Sequence, residues 1–109
     1  GIEEVKTDCS QDVCYDVFIA VDTASDRLGA AEKYFKTAKK TINIDHHISN
    51  ARGCGQVNYV DPNASSASEL VYDLMEENLM DATIAKAIYM GIADFLWIRF
   101  LQADRRDVL

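Results

Sequence analysis

The sequence predicts an α/β fold, a single doubly wound domain with a mainly parallel sheet. Three observations predict it. Val17-Phe18-Ile19-Ala20-Val21 is a short, continuous apolar run, as expected of a strand buried on both faces of a parallel sheet. A helical pattern follows it, and then a second strand-like run, Thr41-Ile42-Asn43-Ile44. Each run leads into an acid, Asp22 after the first and Asp45 after the second. Ligands in open α/β sheets gather at the carboxyl ends of strands, so both acids are expected to face one crevice.

The helix between the strands is read from spacing. Leu28, Ala31, Tyr34, Phe35 and Ala38 recur at three- and four-residue steps, and lysines gather toward Lys40. That pattern predicts one helix over 26–40. Residues 48–56 form a polar, glycine-bearing loop, and 57–60 a third short strand. Asp61-Pro62-Asn63 makes a turn around the only proline of the chain. Ser65 or Ser66 is placed to cap a helix running through residue 78, with Glu69 positioned for a capping box from Ser66. Leu70, Val71, Leu74 and Met75 would be its buried face. Asp81 is placed to cap a further helix over 82–90, with Ile84, Ala87, Ile88 and Gly91 on one side.

Bulk composition bounds the function. A length of 109 residues suits one small domain, and 49% apolar content suits a packed core rather than disorder. The net charge of −7 argues against a basic-patch nucleic-acid binder. It leaves room for a metal enzyme acting on phosphates, because bound cations invert the local charge. No apolar run approaches the roughly 20 residues of a membrane helix, so no membrane partner is expected. Cys9, Cys14 and Cys54 are odd in number and lack a metal-knuckle spacing, which suits reduced thiols in a cytoplasmic protein.

The chemistry concentrates at the second strand end. Both histidines of the chain, His46 and His47, stand directly after Asp45. Neutral imidazole and carboxylate together suit Mn²⁺, Fe²⁺ or Zn²⁺. Two ions about 3.5–4 Å apart can activate a water and steady an in-line attack on phosphorus. The residues alone leave two readings open: a metal site built from Asp22, Asp45, His46 and His47, or surface-loop histidines beside helix-capping acids.

A longer pattern surrounds the two histidines. Residues 44–50 read I-D-H-H-I-S-N, Gly53 follows, and residues 58–69 read N-Y-V-D-P-N-A-S-S-A-S-E. Upstream, Asp22 opens D-T-A-S-D-R-L-G at the end of an apolar strand. Over residues 16 to about 94 the chain resembles the DHH phosphoesterases, whose motifs read I-D-H-H-x-x-N, N-x-V-D-P-x-A-S-S-x-x-E and D-x-x-x-x-x-R-L-G. The resemblance implies a Rossmann-like domain of a two-metal, usually Mn²⁺-dependent phosphoesterase. Carried over by position, Asp22 would bridge the metals and His46 would bind one. His47 would meet the substrate phosphate, and Asp45 would support the site or hold a histidine. Asn50, Ser65 and Ser66 would orient phosphate, although Ser66 has a plain helix cap as its other reading. Asp94 would be the metal acid of the fourth motif. The chain looks most like the short branch acting on very short RNAs and 3′-phosphoadenosine 5′-phosphate, with cyclic-di-AMP phosphodiesterases similar in this region. Pyrophosphatases of the related fold are a weaker match.

Two departures qualify the resemblance. The family's opening H-x-x-x-D-x-D has no counterpart before Asp16, and its glycine-rich second domain is not found, so the chain is expected to be a truncated part of an enzyme. The fourth motif starts at Tyr89-Met90-Gly91-Ile92-Ala93-Asp94 with its acid one position early, and then runs Phe95-Leu96-Trp97-Ile98. A one-base frameshift would restore a family-like tail over 95–102, and natural divergence is the alternative. With these parts missing, the chain is expected to hydrolyse little by itself and to self-associate as a homo-oligomer through exposed apolar surface. A non-catalytic nucleotide-binding or regulatory module is the competing expectation.

Overall fold

The computed structural model describes residues 8–93. The expectations for Asp94 and for the tail from Phe95 lie outside them.

Three parallel strands form one sheet in the order β1 (Val17–Val21), β2 (Lys40–Asp45), β3 (Val57–Val60). Val21 pairs with Ile44, and Asp45 pairs with Val60. The ladder continues one residue past each outer strand, with Asp22 N donating to Ile44 O at 2.8 Å and Asp61 N donating to Asp45 O at 3.1 Å. The ends of all three strands are thereby tied together at the edge of the sheet where Asp22 and Asp45 stand.

β2 is the buried centre. Thr41, Asn43, Ile44 and Asp45 are all buried. The expectation that β1 is buried on both faces is corrected. Val17, Ile19 and Val21 are 48%, 54% and 44% exposed, and only Ala20 is fully buried. The reason is alternation: these three residues share one face of the sheet, which is left open over β1, while Phe18 and Ala20 share the other. Phe18 meets Phe35 of α1 (Glu32–Thr37) edge-on, with centroids 5.6 Å apart. Val21 instead lines a cleft with Ser66, Ala67 and Val71 at the start of α2 (Ala67–Leu74). Residues 18 and 21 point to opposite faces of a strand, so α1 and α2 cover opposite faces of the sheet.

The single helix predicted over 26–40 is also corrected. Two one-turn 3₁₀ segments, Ser25–Arg27 and Gly29–Ala31, precede the short α1. Gly29 adopts φ +59°, outside helical space, so no continuous helix can pass it. Of the expected apolar stripe only Tyr34 is buried; Leu28, Ala31, Phe35 and Ala38 are half-buried. Residues 8–16 strap this region down. Tyr34 Oη donates to Gln11 O at 2.6 Å, and Tyr15 stacks edge-on against Tyr34 at 5.3 Å.

α2 stops at Leu74 rather than running through 78, because Met75 turns extended at ψ 138° and Glu77–Leu79 forms a separate 3₁₀ turn. Asp73, Glu76 and Glu77 crowd negative charge at the negative end of the helix dipole, which opposes continuation. Leu70 is buried, Val71 and Met75 are half-buried, and Leu74 is 53% exposed. Burying Leu70 contributes about 1.5–3 kcal/mol. The third helix, α3, covers 82–93 of the described residues and is capped as expected, with Ile84 N donating to Asp81 Oδ1 at 2.8 Å. Gly91 brings α3 close to α2: a Cβ there would run into the Ser68 side chain.

Candidate metal centre

Asp22 is delivered by an unusual backbone. It is the only described non-glycine residue with positive φ, at 63°. Aspartate tolerates this left-handed conformation better than most residues, at a cost of about 1 kcal/mol. The Asp22 N–H still completes the ladder to Ile44, so the kink turns the chain out of the sheet directly above the end of β2.

Asp45 is delivered differently. It is the last residue of β2 and is 0% exposed. Its Oδ1 accepts the His46 N–H at 2.8 Å and lies 2.6 Å from His47 Nδ1. Its Oδ2 accepts Asn50 Nδ2 at 2.9 Å. Burial alone would raise its pKa. The bonds from Asn50, His47 and the His46 N–H outweigh burial and hold the carboxyl below its usual value, so Asp45 is a carboxylate.

The two histidines close the group. His46 Nε2 lies 3.2 Å from Asp22 Oδ1, and His47 Nδ1 lies 3.9 Å from the same oxygen. The imidazole centroids are 4.6 Å apart. One ligand atom each from Asp22, His46 and His47 falls within a common 4.8 Å span. Two imidazoles and a carboxylate are a donor set that borderline divalent ions accept, so the residues fit a metal ion. Asp45 stands behind both histidines, accepting the His46 N–H and pairing with the His47 ring. Because a carboxylate only accepts, His47 Nδ1 is the donor to Asp45, which leaves a lone pair on Nε2 of the neutral ring. The Asp22 side chain is 58% exposed, which keeps the group open to solvent.

Asn43 braces this geometry. Its amide nitrogen donates to Ala20 O at 3.0 Å and to Thr23 O at 2.9 Å, on either side of Asp22. Its Oδ1 accepts Asn50 Nδ2 at 2.7 Å and Cys54 N at 3.1 Å. This fully buried side chain thus ties the Asp22 kink to the loop that orients Asp45. The sequence reading took Asn43 only as part of a strand. The available signal was one amide among apolar neighbours in the strand that leads to the site.

The other expected site residues fall as follows. Asn50 sits in the 3₁₀ turn Ile48–Asn50 and spends its amide nitrogen on Asn43 and Asp45. Ser66 caps α2, its Oγ accepting Glu69 N at 3.2 Å, and is 7% exposed. The capping box is displaced by one residue: Glu69 accepts from Ser65 N at 2.6 Å and Ser65 Oγ at 2.8 Å rather than from Ser66 N. Those bonds hold the Glu69 carboxyl below its usual pKa. Ser66 lines the cleft that also holds Asp22, whereas Asn50 lines a second cleft with His47. Cys9, Cys14 and Cys54 form no disulfide among the described residues. No helix there is long and apolar enough to cross a membrane.

The comparison with known families agrees with this architecture. The model of the DHH family, N-terminal domain, matches residues 2–92. That span holds the parallel sheet, the two strand-end acids and both histidines. The match covers most of the 109 residues. The chain therefore belongs to the DHH family of metal-dependent phosphoesterases, and what it carries is the family's N-terminal domain.

Proposed function

We propose that this chain is the metal-holding part of an Mn²⁺-dependent phosphoesterase acting on short oligoribonucleotides or related nucleotides. The observation that carries the reading is the convergence of Asp22, His46 and His47 at the strand ends. A bound divalent cation would supply Lewis-acid polarisation of a phosphoryl oxygen and a more acidic water. Asp22 and His46 would hold the ion. His47, kept upright by Asp45, turns its Nε2 toward the open side, where it meets the phosphate or exchanges a proton with the attacking water. Asn50, itself held by Asn43, keeps Asp45 charged and in place. In this reading only Asp22 and His46 serve the ion, so turnover by this chain alone is slow.

The test is hydrolysis by the full-length protein that carries this domain. A diribonucleotide, 3′-phosphoadenosine 5′-phosphate, cyclic-di-AMP and pyrophosphate are each offered with Mn²⁺. The expected result is cleavage of the diribonucleotide and the phosphoadenosine compound, lost in Asp22→Asn and His47→Ala. Preference for cyclic-di-AMP would move the substrate to cyclic dinucleotides. Binding of nucleotide without any cleavage would replace the reading with a non-catalytic module.

A further inference from the structure

Beside His47, away from the α2 cleft, a second concavity is lined by Thr23, Asp26, Arg27, Ser49 and Asn50. Two short turns build it. Ser25–Arg27 follows Asp22, and Ile48–Asn50 follows His47. Each turn follows a residue of the metal group and contributes to the lining of the same opening. Arg27 is exposed there, and its guanidinium has no ion pair or hydrogen bond among the described residues. Ser49 is likewise exposed, with no side-chain hydrogen bond among them. The polar groups next to them are already engaged: Asp45 takes three bonds, and the Asn50 amide nitrogen is bound to Asn43 and Asp45.

An unpaired guanidinium is a rigid fork of donors, matched to phosphate oxygens and always charged. Arg27 is the one cationic side chain in a lining that also holds the Asp26 and Asp45 carboxylates. Asp26 and Asp45 oppose it, so any anion held there is held by Arg27 against two carboxylates, of which Asp45 is turned onto Asn50, His47 and the His46 N–H. We propose that Arg27 and Ser49 form a phosphate-accepting subsite on the flank of the metal group. It would take oxygens of a nucleotide phosphate while His47 faces the same group from the other side. The proposal rests on the phosphoesterase reading and names the residues that select an anionic substrate within it.

The test is a ¹H–¹⁵N NMR titration of the metal-free chain with inorganic phosphate at low ionic strength, read at the Arg27 Nε–H and the Ser49 amide. Wild type is expected to shift both signals saturably. Arg27→Gln should weaken phosphate at least fivefold, Arg27→Lys should recover part of the loss, and Asp26→Asn should tighten binding. Mn²⁺ binding by the Arg27→Gln variant, followed by electron paramagnetic resonance, should match wild type, since Arg27 is not a ligand. Phosphate affinity unchanged by Arg27→Gln, or shifts confined to other residues, would overturn the subsite. Failure of wild type to bind Mn²⁺ would instead overturn the phosphoesterase reading, with the phosphate titration still scored on its own.

Discussion

His47 Nδ1 lies 2.6 Å from Asp45 Oδ1, so a fully buried carboxylate holds the ring of a histidine that is 40% exposed. The pair joins the immobile end of β2 to the open face of the site. Removing the charge but keeping the shape, as in Asp45→Asn, frees the His47 ring and its tautomer. Mn²⁺ affinity is expected to fall about 10–100-fold, because Asp45 also accepts the N–H of His46 and so supports a metal ligand from behind. Isothermal titration of Mn²⁺ into wild type and variant measures this. Equal affinities would show that Asp45 serves only the fold.

Asn43 makes four hydrogen bonds from a fully buried position. Asn43→Ala leaves Cys54 N and the carbonyls of Ala20 and Thr23 without that partner. The expected loss is about 2–4 kcal/mol in urea unfolding, within the range for a buried polar network. A loss below about 0.5 kcal/mol would mean that water replaces the amide freely.

Asp22 separates function from stability. Its φ of 63° suits glycine better than any side chain. Asp22→Gly should therefore gain about 1 kcal/mol of stability while losing metal affinity, and Asp22→Ala should lose both. Urea midpoints of the two variants test the ranking directly.

Acid should unfold the domain through carboxylates whose pKa is depressed in the fold. Burial raises Asp45, but the bonds from Asn50, His47 and His46 N–H lower it further, and Ser65 lowers Glu69. The folded state thus binds fewer protons than the unfolded chain at these groups. Their contribution is complete above the unfolded carboxyl values and is lost as pH falls below about 4. Thermal midpoints should be flat from pH 7 to 5 with respect to these groups and then drop. In Asp45→Asn the drop should be shallower.

β1 leaves Val17, Ile19 and Val21 half open to solvent, on a strand with one neighbour among the described residues. Such an apolar strand invites pairing. The chain is expected to self-associate at high concentration by light scattering, and Ile19→Lys should shift it toward monomer. A monomeric mass for wild type at every concentration would contradict this.

The strands were legible because their apolar runs are short and end in acids, and Asp45, His46 and His47 of the candidate site were legible because they are adjacent in the chain, with Asp22 placed by the end of β1. His46 and His47 follow Asp45 directly, so locating β2 located them all. The long helix over 26–40 was misread because apolar spacing does not register a backbone break, and Gly29 supplies one in the middle of the stripe. The overextended α2 hid a repulsion among Asp73, Glu76 and Glu77 that periodicity also ignores. Asn43 escaped notice because its partners, Ala20, Thr23, Asn50 and Cys54, come together only when β1 lies beside β2. Arg27 was visible within a motif, but its lack of a partner is a property of the folded surface.

The most direct measurement is Mn²⁺ titration of the wild-type chain beside Asp22→Asn and His46→Ala, followed by electron paramagnetic resonance. A metal centre at Asp22, His46 and His47 predicts one bound ion per chain, with affinity falling at least tenfold in each variant. Mn²⁺ binding that is absent in wild type, or equal in all three proteins, would contradict it.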